Sequence, residues 1–354
     1  MGVFVNYVLV AMLACLAGTV LLCSYSLPVA SWLKLIDDPR AKLHGFHDTP
    51  TPLLGGLAII VPWLLAGVAT LLGTDGEPPV IPILTWQGLG FIAFFLTLGA
   101  IDDRRGLSVK GRLIAKTLAY AVLVTSTTSL SISKVALPGL GLAWDISFIA
   151  APFTILCMVA LNNAINMCDG RNCLVIGMSF VWLVSLLLYV PALRVPLVLI
   201  LPAMLAVTGW FNWRGRLFLG DAGAYALSTL VGILAVWAHQ LPPALGGLTS
   251  PQLATLFAIP ALDMLRIIGS RLRRGASITA PDSDHMHHRL DRTFGWSIGL
   301  PAYLLAIALP IAVSLSSHHS GLAGLSLALL SYSVLWHVTK AQAAGSSGTL
   351  ATQA

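Results

Sequence analysis

Apolar runs of near-bilayer length follow one another along almost the whole of this chain, and no other feature constrains its fold as strongly. Eleven stand out, at roughly 4–27, 53–73, 88–101, 113–132, 146–161, 174–190, 195–209, 222–238, 252–269, 298–316 and 320–338. A spanning helix needs about 17–25 residues, so the runs at 88–101 and 195–209 are the weakest candidates. Only 10% of the 354 residues are charged and 57% are hydrophobic, against about 25% charged in a soluble domain. A globule of that composition would not stay in solution. Helices in lipid, by contrast, satisfy every backbone N–H and C=O internally. The sequence therefore predicts an all-α fold, a polytopic integral membrane helical bundle of about eleven transmembrane helices. Residues 1–340 are expected to form a single transmembrane domain, and the small, polar stretch 341–354 a disordered tail.

Charge sets the orientation of such a bundle. The first run has no Lys or Arg before it and exceeds the roughly 7–15 residues of a signal-peptide core, so it is expected to stay as a helix. Loops after the odd-numbered runs, with the C-terminal tail, hold eighteen of the twenty Lys and Arg residues; Lys134 and Arg194 are the exceptions. Positive charge collects on the cytoplasmic side, which places the N-terminus outside and the C-terminus inside. The net charge of +6 thus reports topology and gives no reason to expect nucleic acid. The five cysteines are odd in number and contain no CxxC pair, so no disulfide or metal framework is expected. Eleven of the fourteen acidic residues, almost all Asp, fall on the basic side as well. Asp ligates hard cations with a short reach, so this face suits a metal and phosphates.

Five polar loops share that face. In DDPRAKLHGFHDTPTPLLGG (37–56), Lys42, His44 and His47 can meet phosphate, while the prolines also make a plain rigid turn. Gly55-Gly56 in the same loop admits close approach of another chain or a ligand. In IDDRRGLSVKGRLIAK (101–116), Asp102 and Asp103 end an apolar run, where adjacent carboxylates need a cation or an Arg partner. A surface cluster with Arg104 and Arg105 is the other reading. Arg112 and Lys116 lie four apart, on one helical face. LNNAINMCDGRNCL (161–174) carries Asn162, Asn166 and Asp169 at helical spacing, an oxygen stripe suited to Mg²⁺, or else a solvated turn. In WFNWRGRLFLGDAGAY (210–225), Asp221 either caps a helix or binds metal beside backbone N–H groups that can meet phosphate. RLRRGASITAPDSDHMHHRLDR (271–292) holds His285, His287 and His288 with Asp282 and Asp284. Zinc would want a closed tetrahedron, and neither an HExxH helix nor a Cys pair is present. With Arg271, Arg273 and Arg274 nearby, a diphosphate-binding patch fits better.

HDTPTPLLGG (47–56), DDRRGLSVKGRL (102–113), NAINMCDG (163–170), FLGDAGAY (218–225) and DHMHHRL (284–290) occur in the order that marks one family. Together they resemble the polyprenyl-phosphate N-acetylhexosamine-1-phosphate transferases, and the resemblance covers nearly the whole chain. It implies a transferase in the bacterial inner membrane with its active site on the cytoplasmic face. A polyprenyl phosphate would attack the β-phosphorus of a UDP-N-acetylhexosamine, releasing UMP and leaving a polyprenyl-diphospho-sugar that initiates an envelope glycan. The resemblance also implies Mg²⁺, with Mn²⁺ as a substitute, and a homodimer. It assigns Asp221 and Asn166 to the metal. Asp102 would deprotonate or orient the lipid phosphate, with Asp103 beside it, and Asp169 would organise the nucleotide site. Asn172 and Phe218 would bond and stack on uracil, Arg112 would contact phosphate, and His285, His287 and His288 would bind diphosphate. Lys42 and His47 join the substrate contacts.

Three positions depart from the family pattern. Cys173 stands where Gly is frequent, Ala224 replaces a hydroxyl residue, and the basic pair before the first-loop His is reduced to Lys42. The DGRN and HMHH forms are closer to the N-acetylglucosamine and O-antigen type than to the MurNAc-pentapeptide phosphotransferases. A secondary transporter is the rival from another class, but it would place its acids near the bilayer midplane, and here they gather in loops and at helix ends. A scaffold role leaves five polar loops on one side unexplained.

Overall fold

The computed structural model describes residues 2–39, 49–73, 80–275, 277 and 284–351. Among these, fourteen α-helices follow in order: α1 (Gly2–Ser24), α2 (Ser26–Leu33), α3 (Gly55–Gly73), α4 (Trp86–Arg105), α5 (Val109–Ser126), α6 (Ala150–Cys168), α7 (Leu174–Tyr189), α8 (Pro196–Leu199), α9 (Leu201–Trp213), α10 (Gly220–Gln240), α11 (Ser250–Arg273), α12 (Met286–Phe294), α13 (Trp296–Ser314) and α14 (Gly321–Ala351). Each of the eleven apolar runs lies mainly on helix, and the chain is an all-α, multi-pass membrane protein. Seven helices among the described residues are long and apolar enough to cross a bilayer by themselves, and α1 with α2, bent by 77°, makes an eighth. The shortfall from eleven has physical causes. α7 has only 16 residues, and α4 and α5 carry the charged ends Asp102–Arg105 and Lys110–Lys116. The backbone of α14 continues as helix through residues 341–351, the stretch read from the sequence as a disordered tail.

Two short antiparallel pairs interrupt the helices. β1 (Ile36–Asp37) pairs with β2 (Thr51–Pro52) across the first polar loop. β3 (Lys134–Leu137) and β4 (Leu142–Asp145) form a hairpin in register Lys134↔Asp145 to Leu137↔Leu142.

The described residues divide into two compact units, Met1–Ser133 with Ile146–Gly247, and Lys134–Asp145 with Leu248–Ala354. The first is built around α10. Eighteen of its 21 residues are buried, and α4, α3, α6 and α7 pack on it. A helix that is apolar all round belongs in the centre of a bundle. Small residues bring the neighbours close: a Cβ at Gly99 of α4 would stand 2.5 Å from the Ala222 Cα, and one at Gly56 of α3 2.2 Å from the Gly223 nitrogen. The close approach expected of Gly55-Gly56 is thus made by the chain itself. In the second unit α11, α13 and α14 pack on one another, α12 lies against α13 and α14, and the β3–β4 hairpin leans on α11, the Ala136 N–H donating to the Ser250 hydroxyl at 2.9 Å.

Candidate active site

Helix ends converge on the N-terminus of α10. α4 stops where Gly106 takes a left-handed conformation (φ 64°) and its N–H closes on the Asp102 carbonyl at 2.8 Å, leaving Asp102 and Asp103 in the last turn. Asn166 occupies the last turn of α6, and Asp169 follows it as the capping residue. Asp221 stands in the first turn of α10, and Arg112 and Lys116 in the first turns of α5.

Asp103 holds the start of α10. Its Oδ1 accepts the Asp221 N–H at 2.9 Å and its Oδ2 the Ala222 N–H at 3.0 Å. A carboxylate is the natural partner of N–H groups that have no acceptor within their own helix. Asp221 does not cap α10; its side chain faces α6, where Asn166 Nδ2 donates to Asp221 Oδ1 at 2.6 Å. Asp102, 4% exposed, accepts the Leu107 N–H at 2.8 Å on Oδ1, and Arg112 Nη1 at 3.1 Å and the Tyr225 hydroxyl at 2.7 Å on Oδ2. Among the described residues the ion-pair partner of that carboxylate is Arg112, from the next helix, and not Arg104 or Arg105. Lys116, 1% exposed, donates to Asn163 Oδ1 at 3.1 Å and sits 3.5 Å over the Tyr225 ring. A buried ammonium without a carboxylate contact is stabilised by such a ring face.

The oxygen stripe drawn through Asn162 does not form. Asn162 is fully buried, its amide nitrogen within 3.3 Å of the Tyr120, Ser228 and Thr229 hydroxyls and the Tyr225 carbonyl. One helical turn separates it from Asn166, about 6 Å along the axis, and that distance takes it from the mouth of the bundle into its core.

Burial first, and then the charges of Asp221 and Asp103, hold the Asp169 carboxyl well above the ordinary carboxylate range. Asp103, beyond the apolar run of α4, is pushed the same way by burial and by Asp221. Like charges gathered out of water favour a bound cation. Among the described residues no three acidic, His or Cys side chains close around one point. Asp221 with Asn166, its amide turned to present oxygen, fits an ion that takes one or two protein donors and completes its shell with water and substrate phosphate, as Mg²⁺ does.

The third and fourth polar loops are tied by Asn212, 3% exposed: its Oδ1 accepts the Cys173 N–H and its Nδ2 donates to the Leu217 carbonyl at 2.8 Å. Asn172 and Phe218, each next to one anchored residue, are thereby set in fixed turns. Phe218 is also threaded through the first loop, its N–H donating to the Pro52 carbonyl at 2.8 Å and its own carbonyl accepting from Gly55 at 2.9 Å. Cys173 has φ 64°, a conformation that favours Gly, the residue that the resemblance leads one to expect there. Ala224 is fully buried. Lys42 and His47 lie outside the described residues.

His285, His287 and His288 belong to the second unit, at the start of α12. His285 Nδ1 lies 3.0 Å from Asp263 Oδ2, and the His287 ring centroid is 5.5 Å from that of His285 and 4.1 Å from that of His288. Asp263, 1% exposed on α11, also accepts the Met286 N–H at 3.2 Å, Arg266 Nη2 at 2.9 Å and the Tyr332 hydroxyl at 2.9 Å. Tyr225, Asn212 and Asp263 are site residues that the sequence does not single out. Two had a signal: Tyr225 falls one turn after Asp221, and Asp263 is three residues before Arg266 in an otherwise apolar run.

Carboxylates and cations from separate helices, held in fixed bonds at one end of a multi-pass bundle, form a polar cluster in a membrane protein, of a chemistry suited to a cation and phosphate. A family model for glycosyl transferase family 4 matches residues 85–239, the stretch that carries this cluster. The undecaprenyl-phosphate alpha-N-acetylglucosaminyl 1-phosphate transferase of Salmonella typhi is 31% identical over 289 residues, 75% of this chain and 71% of the relative. That of Yersinia pestis is 30% identical over 292 residues, with the same coverage, and that of Escherichia coli K12 is 29% identical over 320 residues, 84% of this chain and 80% of the relative. The chain belongs to glycosyl transferase family 4, among the polyprenyl-phosphate sugar-1-phosphate transferases.

Proposed function

We propose that this protein transfers N-acetylglucosamine-1-phosphate from a UDP-linked donor to undecaprenyl phosphate, releasing UMP. The observation that carries the reading is the convergence of Asp102, Asp103, Asn166 and Asp221 in a chain of this family. An oxygen of the lipid phosphate forms a bond to the donor's β-phosphorus, and the bond from that phosphorus to the oxygen bridging it to UMP breaks. Phosphoryl transfer rests mainly on positioning and charge neutralisation. A phosphate monoester has its second pKa near 6, so the nucleophile is largely dianionic at neutral pH and needs orientation more than deprotonation. Asp102, with both oxygens engaged, suits an orienting role, fixing Arg112 toward the phosphate. Mg²⁺ held by Asp221 and Asn166, with Mn²⁺ as a substitute, would neutralise charge on the diphosphate. Asp103 fixes Asp221, Asp169 organises the nucleotide side, Asn172 and Phe218 contact uracil, and Lys42, His47 and the His285–His288 motif serve as phosphate contacts.

The distribution of Lys and Arg supports eleven spans in one transferase domain, with the N-terminus outside and the site on the cytoplasmic face of the bacterial inner membrane. A homodimer is part of the same reading. The test is UMP release by purified protein with undecaprenyl phosphate and Mg²⁺ across UDP-N-acetylglucosamine, UDP-N-acetylgalactosamine and UDP-MurNAc-pentapeptide. Release that needs lipid, metal and UDP-N-acetylglucosamine is the expected outcome. Release with another donor alone would reassign the sugar, and no UMP binding at all would overturn the reading.

A further inference from the structure

A cavity of about 300 Å³ opens between the last two turns of α11 and the middle of α14 in the second unit. Its walls include Arg266, Ser270, Arg273, Tyr332, Trp336 and His337; every lining side chain has a polar group and none is acidic. Each helix carries a span long and apolar enough to cross a bilayer, Ser250–Arg273 and Gly321–Lys340, and the cavity lies toward the C-terminal end of each span, where a helix leaves the hydrocarbon. One wall is preorganised. Arg266 is bonded to Asp263 at 2.9 Å, to Asp284 at 3.0 Å and to the Tyr332 hydroxyl at 2.8 Å. The Trp336 ring lies 4.4 Å from its guanidinium and 3.9 Å from that of Arg289. The other wall is open to a ligand. Arg273 is exposed, folds back along α11 to within 3.9 Å of the Cβ position of Gly269, and makes no ion pair among the described residues. Beside the cavity the same two helices expose Leu265, Leu272, Leu330, Val334 and Val338.

We propose that this cavity binds the phosphate of an anionic membrane phospholipid, with the acyl chains laid along the exposed leucines and valines. Guanidinium groups match phosphate geometry, a Trp at the level of the headgroups is at home in the interface, and basic pockets between spanning helices hold lipid headgroups. Free phosphate would meet the same polar wall but would leave the adjoining apolar surface without a role. The proposal does not rest on the reaction proposed above.

The test uses the full chain, delipidated in detergent, with thermal midpoints and native mass spectrometry as readouts. Phosphatidylglycerol should raise the midpoint and remain bound in the spectrometer; phosphatidylcholine and inorganic phosphate should do neither. Arg273→Glu with His337→Glu should weaken phosphatidylglycerol binding by at least about tenfold, charge-assisted contacts being the strong ones, with the midpoint in phosphatidylcholine unchanged. The milder Arg273→Gln should give a smaller loss in the same direction. Equal effects of the two lipids, or binding unaltered in both variants, would overturn the proposal. So would displacement of phosphatidylglycerol by inorganic phosphate, which moves the site to a soluble anion, or by a lower concentration of undecaprenyl phosphate, which gives it to the acceptor.

Discussion

Asp103 and Asp221 are joined through the main chain: the Asp221 N–H donates to Asp103 Oδ1 at 2.9 Å, so a carboxylate on α4 sets where the carboxylate on α10 begins. Asp103→Ala should therefore lower both the thermal midpoint and turnover, since a lost helix cap costs about 1 kcal/mol and displaces Asp221. Asp221→Ala keeps the cap. It should abolish turnover with little change in midpoint, and excess Mg²⁺ should not restore it. UMP-release rates beside melting curves separate the two, and equal melting losses would contradict the division of roles.

Asp102 and Tyr225 should differ in degree. Asp102→Asn weakens the hold on Arg112 and should cut kcat by about 10²-fold or more, in the range seen for lost electrostatic contacts at reacting groups. Binding of the UDP-sugar should change far less. Tyr225→Phe removes one hydrogen bond, worth about 1 kcal/mol net, and should cost roughly five- to tenfold in kcat. Kinetics together with calorimetric donor binding check both, and a pure binding loss in Asp102→Asn would reassign that residue.

Metal-free protein should become less stable as pH rises. Asp103 and Asp169 hold their protons more tightly folded than unfolded, because burial and neighbouring carboxylates oppose ionisation. The folded form therefore binds more protons, and stability falls as pH climbs from the ordinary carboxylate range through these raised values. Mg²⁺ should offset the loss, so its effect on the thermal midpoint should be larger at pH 8 than at pH 5. Melting with and without a chelator at the two pH values tests the sign.

Cys173→Gly should stabilise the turn after α6. A side chain in the left-handed region costs roughly 1–2 kcal/mol relative to Gly, offset in part by losing the thiol contact to the Gly209 carbonyl at 3.1 Å. The midpoint should rise by a few degrees and UMP affinity stay the same. Thiol labelling of the native Cys173 should also be slowed by UMP if the nucleotide covers this turn.

Asp263→Asn should act on the histidine motif without touching the carboxylate cluster. The change weakens the acceptor for His285 Nδ1 and for the Met286 N–H. It should raise the KM for donor, while His285→Ala in the same background adds little. Additive losses in the double variant would show that the two residues act separately.

The helices were legible in the sequence because lipid enforces them: an apolar run of sufficient length has one stable form in a bilayer. Loop residues that carry charge were legible for the converse reason, since Asp102 or Asp221 beside an apolar run needs an explanation. What the sequence did not carry was depth and pairing. Asn162 and Asn166 share a face but not a level, and only packing decides which of them reaches the mouth. The pairing of Asp103 with α10 depends on how closely Gly99 lets two helices approach, and Asn212 joins turns 39 residues apart; no local pattern encodes either.

α10 is sheathed by protein along nearly its whole length, so lipid scarcely touches the helix that carries Asp221 at its tip. Changes of bilayer thickness or fluidity act by tilting and bending the helices that face lipid, and in this unit they reach α10 only through its neighbours. The Asp221 end of the helix is thereby shielded from direct contact with lipid, and turnover should respond less to bilayer thickness or fluidity than the tilt of the outer helices does.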